Sequence, residues 1–147
     1  MSKISATLFL FLFFPFFAFS ELRIDITQGN TEPIPIALLK FNTEDKQGKK
    51  ISSDINKVIS NNLQRSGLFQ ILSSNLFFDK KIPFDKKPIF SDWKLSTAQG
   101  LVHGKISIDK EKLNIEFRLW DIFSEKQMVA QQLKTETNNW RRIAHVI

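Results

Sequence analysis

The chain has 147 residues, no cysteine and a formal net charge of +6 at neutral pH. Without cysteine there is no disulfide framework, no thiolate nucleophile and no Cys-bearing zinc site, so the fold rests on packing alone. Residues 1–20 carry one Lys and no acid, so the rest keeps +5 and, at about 125 residues, fits one ordinary domain with a single core.

Met1 to Ser20 has the three-part layout of an export signal. Lys3 precedes an apolar run from Ala6 to Phe14, followed by the helix-breaking Pro15 and the small residues Ala18 and Ser20. A spanning helix needs roughly 20 apolar residues, and this run is shorter and interrupted by proline. Cleavage is therefore expected between Ser20 and Glu21, with the remainder exported. Seven of the fifteen Phe lie in this segment, so the exported part is less aromatic than the whole chain.

Leu22, Ile24 and Ile26 alternate with Arg23, Asp25 and Thr27, the period-two pattern of a half-buried strand. Gln28, Gly29 and Asn30 punctuate it, so this strand can also detach and offer its backbone to another sheet edge. The apolar run Pro33 to Phe41 predicts a second, more buried strand, with both prolines at its beginning. Asn42 to Lys50 shows no periodicity and predicts a loop. Ser52 or Ser53 is the expected cap of a helix whose Ile55, Val58, Ile59 and Leu63 recur at steps of three and four. Gly67 is its expected stop, with Leu68 folding back on Leu63 and a strand from Leu68 to Leu72 following at once.

From Ser73 to Pro88 the pattern is irregular and lysine-rich around Pro83 and Phe84, which predicts a surface loop with aromatic anchors. Ser91 is the expected cap of a brief helix containing Trp93 and Leu95, which Gly100 ends. Val102, Gly104, Ile106 and Ile108 then share one face of a strand. After a turn at Asp109 to Lys112, Leu113, Ile115, Phe117 and Leu119 alternate with Asn114, Glu116, Arg118 and Trp120 in the clearest half-buried strand of the chain. A third strand from about Gln127 to Lys134 completes an antiparallel meander. Asn138 or Asn139 is the expected cap of a last helix. It places Trp140, Ile143, Ala144 and Ile147 on one face and Arg141, Arg142 and His145 on the other. The pattern stops without a terminating Gly, Asn or Pro, as in the front part of a longer protein.

No catalytic constellation is expected. His103 and His145 are isolated, with no neighbouring Cys, Asp or Glu at metal-ligand spacing, so neither a metal nor another cofactor is expected, and both read as ordinary polar or solvent-facing histidines. Gly48, Gly67, Gly100 and Gly104 form no phosphate-binding loop. Asp109, Glu111 and Asp121 read as turn residues. Lys80, Lys81, Lys86 and Lys87 with Phe84 and Phe90 have the charge and rings of a single-strand nucleic-acid binder, but export excludes nucleic acid as the expected partner. A solvated loop is the plain reading of this segment, and an anionic surface the functional one.

Taken together, Glu21 to Gly29, Pro33 to Phe41, Asn62 to Phe69 (NLQRSGLF) and Trp140 to Ile147 (WRRIAHVI) resemble the amino-terminal domain of the TolB family. The Trp93 helix, the Gly104 strand and Leu119-Trp120-Asp121 fall in the same order as in that family. The lysine-rich insert Phe77 to Phe90 and the low glycine content depart from its pattern. The resemblance implies a single α/β domain of the α+β type, a mixed sheet ending in an antiparallel meander with two to three helices packed on it. Its expected layout is a signal at 1–20, a partner-binding segment at 21–32 and the domain proper at 33–147.

The resemblance also implies a non-enzymatic periplasmic adaptor of the Tol-Pal system, serving outer-membrane integrity and constriction during division. It implies that Glu21, Leu22, Arg23, Ile24, Asp25, Ile26 and Thr27 bind TolA. A β-propeller beyond this chain would bind Pal, and other outer-membrane proteins are further candidate partners. Against this stand an exported enzyme with its catalytic residues further along the chain, and a lipid-surface module using Lys80 to Lys87.

Overall fold

Among the described residues, five strands form one mixed sheet in the order β2-β1-β3-β4-β5. The computed structural model describes residues 32–77 and 82–147. Strand β1 (Ile34–Leu38) lies between two parallel neighbours, β2 (Phe69–Ile71) and β3 (Gly100–Asp109). An interior strand ordinarily excludes proline, because each residue must donate to a ladder. Pro35 is tolerated because the β1–β3 register begins only at Ile36, opposite Gly100, and the Pro35 carbonyl still accepts from Gln99 N–H at 2.9 Å.

Between β1 and β2 runs α1 (Lys46–Arg65), which begins earlier than the sequence pattern suggests. Asp45 is the cap, its Oδ2 accepting from Gly48 N–H at 2.8 Å. Asn42 to Lys50 is therefore half helix rather than loop. Ser52 lies inside α1, buried, and donates its hydroxyl to the Phe41 carbonyl at 2.9 Å. Ile51, Ile55 and Ile59 face the sheet at four-residue steps. Gly67 ends the helix at φ +72°, a left-handed conformation that costs a residue with a Cβ about 1–2 kcal/mol. Leu63 packs on the core, but Leu68 stays more than half exposed and so does not close the helix end.

The chain returns from β2 to β3 across the other side of the sheet. This crossover contains a 3-10 turn at Ser74–Leu76 and the short α2 (Phe90–Leu95), capped at Ile89 rather than Ser91. Ser96 and Thr97, not Gly100, close α2: Thr97 takes φ 62°, and Gly100 is already the first residue of β3. The antiparallel meander then follows as β3, β4 (Lys112–Asp121) and β5 (Lys126–Glu136), with a register shift at Leu119/Trp120. A 3-10 turn at Thr137–Asn139 leads into α3 (Trp140–Ala144). Asn139 is its cap residue but makes no side-chain capping bond.

Each face of the sheet has its own core. On the first face α1 and α3 cover Ile36, Val102, Ile106, Leu113, Ile115 and Phe117, with Trp140, Ile143 and Ile147 packed at the margin. Gly104 belongs here: a Cβ would stand 2.5 Å from the Glu116 carbonyl oxygen and 3.0 Å from the Phe41 ring, so only glycine fits between them. On the second face Phe77, Ile82, Trp93 and Ala98 of the crossover close over Ala37, Leu39, Leu101, Trp120 and Ile122. The result is a single mixed α/β domain, with the meander and three helices that the sequence led us to expect.

Candidate interaction surfaces

The expected TolA-binding residues, Glu21 to Thr27, and the expected cleavage site at Ser20 and Glu21 lie outside the described residues. Lys80 and Lys81 also fall outside them. What is described is the point from which the chain enters the domain: Glu32 and Pro33 are exposed, Ile34 keeps nearly half its surface, and Ile34 N–H donates to the Leu68 carbonyl at 2.9 Å.

The second face divides into two parts. Toward the β4–β5 turn it is dry and aromatic, with Phe77 against Trp93 at 5.2 Å and Phe90 edge-on to Trp120 at 5.7 Å between ring centroids. Toward the β3–β4 turn it is open and polar. There the register aligns Lys105 with Glu116 and Gln132, and Ser107 with Asn114 and Lys134. Lys105 Nζ stands 3.2 Å from Glu116, Asn114 Nδ2 donates to the same carboxylate at 3.2 Å, and Gln132 Nε2 donates to Asn114 at 2.9 Å. Neighbours within the sheet thus satisfy these groups, the ordinary condition of an antiparallel face turned to water.

His103 sits at the boundary between the two parts and is only 1% exposed, a correction to its reading as an ordinary polar or solvent-facing residue. Trp120 Nε1–H donates to its Nε2 at 2.9 Å, so the neutral ring carries its hydrogen on Nδ1, and Nδ1 has no partner among the described residues. The Phe84 ring lies 5.7 Å away, roofing the imidazole. Over Phe84 stand Arg118 at 4.5 Å and Lys105 at 4.9 Å from the ring centroid. Burial first, and the Arg118 charge second, lower the His103 pKa to about 4.

The remaining candidates are structural. His145 is exposed, its Nδ1 accepting from Asn62 Nδ2 at 3.1 Å and so tying α3 to α1. Asp121 Oδ1 accepts from Phe123 N–H at 2.9 Å and Ser124 N–H at 3.1 Å. The Ser124 backbone bond is the main reason its carboxyl is held below the usual range; burial opposes it, and the Ser124 hydroxyl, the Phe123 backbone and Lys126 add to the lowering. Glu111 contributes its carbonyl rather than its carboxylate, accepting from Thr137 N–H at 2.7 Å. Among the described residues no group of three or more His, Cys, Asp or Glu is placed to hold a metal, and no helix is long and apolar enough to cross a membrane.

This architecture has named counterparts. A family model described as the TolB amino-terminal domain matches residues 22–128. The chain belongs to the TolB amino-terminal domain family. One curated TolB relative, the Tol-Pal system protein TolB of Pelagibacter ubique (strain HTCC1062), is 42% identical over 147 aligned positions, covering 94% of this chain and 33% of the relative. The chain thus spans about a third of that relative's length. The crystal structure of TolB from Acinetobacter baumannii superposes with a TM-score of 0.61 at 20% identity, covering 79% of this chain and 26% of that one. The C-terminal domain of LpoB from Salmonella enterica shares the fold alone, with a TM-score of 0.50 at 11% identity over 74% of this chain and 86% of that one.

Proposed function

We propose that the chain is the amino-terminal part of a periplasmic, non-enzymatic adaptor of the Tol-Pal system, exported by a signal cleaved after Ser20. The 42% identity to a Tol-Pal system protein across nearly the whole chain carries this reading. Its working element is Glu21 to Thr27, released at the new amino terminus. Leu22, Ile24 and Ile26 supply side-chain contacts while the backbone adds to a sheet edge of TolA. In the full-length protein a β-propeller beyond Ile147 binds Pal, and partner exchange between the two membranes supports outer-membrane integrity and constriction during division.

The domain's composition suits a scaffold. Among the described residues, His103 is committed to packing, Asp121 to a turn, and Lys105 and Glu116 to a cross-strand pair. The deciding experiment deletes Glu21 to Asn30 and titrates the protein with the carboxy-terminal domain of TolA. Binding should be lost while the far-ultraviolet spectrum is retained; unchanged affinity would sink the proposal.

A further inference from the structure

Residues 82–88 form a strap that crosses the second face of the sheet without joining it. Its two ends are buried, Ile82 in the second-face core with its carbonyl accepting from Asn42 Nδ2 at 2.7 Å, and Pro88 at the other end; between them Phe84 lies on His103 with Arg118 and Lys105 near its ring. The strap's internal bond, Lys86 N–H to the Pro83 carbonyl at 3.0 Å, makes it a single turn with Phe84 pointing inward and Asp85, Lys86 and Lys87 exposed. Phe84 is therefore the principal apolar anchor of its central turn.

The floor beneath that anchor has one acceptor and no acid. His103 Nε2 takes the Trp120 indole hydrogen, which requires an unprotonated nitrogen. A proton added there turns acceptor into donor, so the Trp120 bond breaks and leaves two N–H groups facing each other in a dry site. The charged groups around it give the new cation no relief. Arg118 on β4 repels it directly, and Lys105, two residues on along β3 and also near the Phe84 ring, is a second cation. Glu116 is already paired with Lys105 at 3.2 Å, and Asp85 on the strap is turned to solvent.

We propose that the turn 83–87 is an acid-released latch: neutral His103 keeps Phe84 seated, and protonation of the ring breaks its bond to Trp120, lifts Phe84 and frees this turn while Ile82, Pro88 and the five-stranded sheet stay in place. Water reaching the vacated site is what solvates the imidazolium. The first face plays no part, since its helices are held by a separate core.

The test is an NMR titration of the full chain from pH 7 to 3.5, following the His103 ring, the Trp120 indole N–H, Phe84–His103 proximity and the β3–β4 amides. All three aromatic signals should change together near pH 4, with the sheet amides unmoved. In His103→Gln, whose side-chain oxygen still accepts from Trp120 but does not titrate here, Phe84 should stay seated throughout. Phe84→Ala should raise the His103 midpoint toward the ordinary value near 6.5 by removing the roof. Release at the same pH in His103→Gln, loss of sheet amides in step with the strap, or no release by pH 3.5 would each overturn the latch. So would an unmoved His103 midpoint in folded Phe84→Ala.

Discussion

The two faces of the sheet solve the same burial problem by different means. On the first, α1 and α3 lay regular apolar stripes on period-two strands, and the buried residues are almost all aliphatic. On the second, an irregular crossover reaches down with a few residues, Phe77, Ile82, Phe84, Trp93 and Ala98, and the buried groups include a histidine and an indole bonded to each other. Regular cover tolerates rearrangement at its margins because many residues share the contact. Cover made of isolated anchors depends on each of them, and makes the second face the more responsive of the two.

The largest expected effect is on the first face. Ile55 is fully buried at the middle of α1, and Ile55→Ala should cost about 3–4 kcal/mol in urea unfolding through lost transfer energy and an unfilled cavity. Should it cost under about 1 kcal/mol, α1 would not be the principal cover. On the second face, Trp120→Phe retains a ring but removes the donor to His103, and a loss of about 2 kcal/mol is expected from the stranded acceptor and reduced packing. A double cycle with His103→Gln should show coupling between the two positions, whereas Ile55→Ala combined with Trp120→Phe should be additive, because the two cores are separate.

Period-two and helical spacing made the first face legible. Val102, Ile106, Leu113, Ile115 and Phe117 were readable as one surface, and the meander followed from their alternation. The start of α1 escaped because Lys46 to Lys50 offers no apolar repeat and includes Gly48, a poor helix former. That glycine is there for packing, since a Cβ would collide with the Thr43 side chain. The visible clue was Asp45 three residues ahead of Gly48, a cap that binds a backbone N–H whatever residue supplies it. Asp45→Ala should accordingly cost about 1 kcal/mol, seen as a lower urea midpoint with an unchanged slope.

The second face was legible only in part. Phe84 was recognisable as an anchor and Trp93 as part of a brief helix, but alternation along β4 placed Trp120 with Arg118 and Glu116 on the wet side. Alternation reports which residues share a side, not what lies over that side, and the crossover that dries Leu101, His103 and Trp120 is distant in sequence. The partner-binding segment had a different basis: its strand-like alternation was visible, but its assignment to TolA came from family resemblance.

The faces should also separate with pH. His103 binds a proton more readily in the unfolded chain, near 6.5, than in the folded one, near 4. Stability attached to this group is fully present above pH 6.5 and declines as pH falls toward 4, because the unfolded state takes up more protons across that window. Asp121 acts lower still. Its folded carboxyl is depressed, so its contribution is present above the ordinary carboxylate value and fades as pH falls through the folded one. Unfolding free energy measured at pH 7, 5.5 and 4.5 should therefore fall steadily, and His103→Gln should flatten that slope. An equal slope in the variant would assign the loss to carboxylates alone.

The smallest effect tests whether electrostatic clips add much to an anchored cover. Lys94 on α2 meets Glu125 in the β4–β5 turn at 2.7 Å, joining the crossover to the meander. Both side chains keep 40% or more of their surface, so water and salt screen the pair, and the entropy of holding two long side chains offsets most of the attraction. Glu125→Gln should change stability by no more than about 0.5 kcal/mol, with the difference vanishing at high salt. A loss comparable to that of Trp120→Phe would mean that α2 is held from its rim rather than by the burial of Trp93, and the contrast between shared and single anchors would then fail on this side of the molecule.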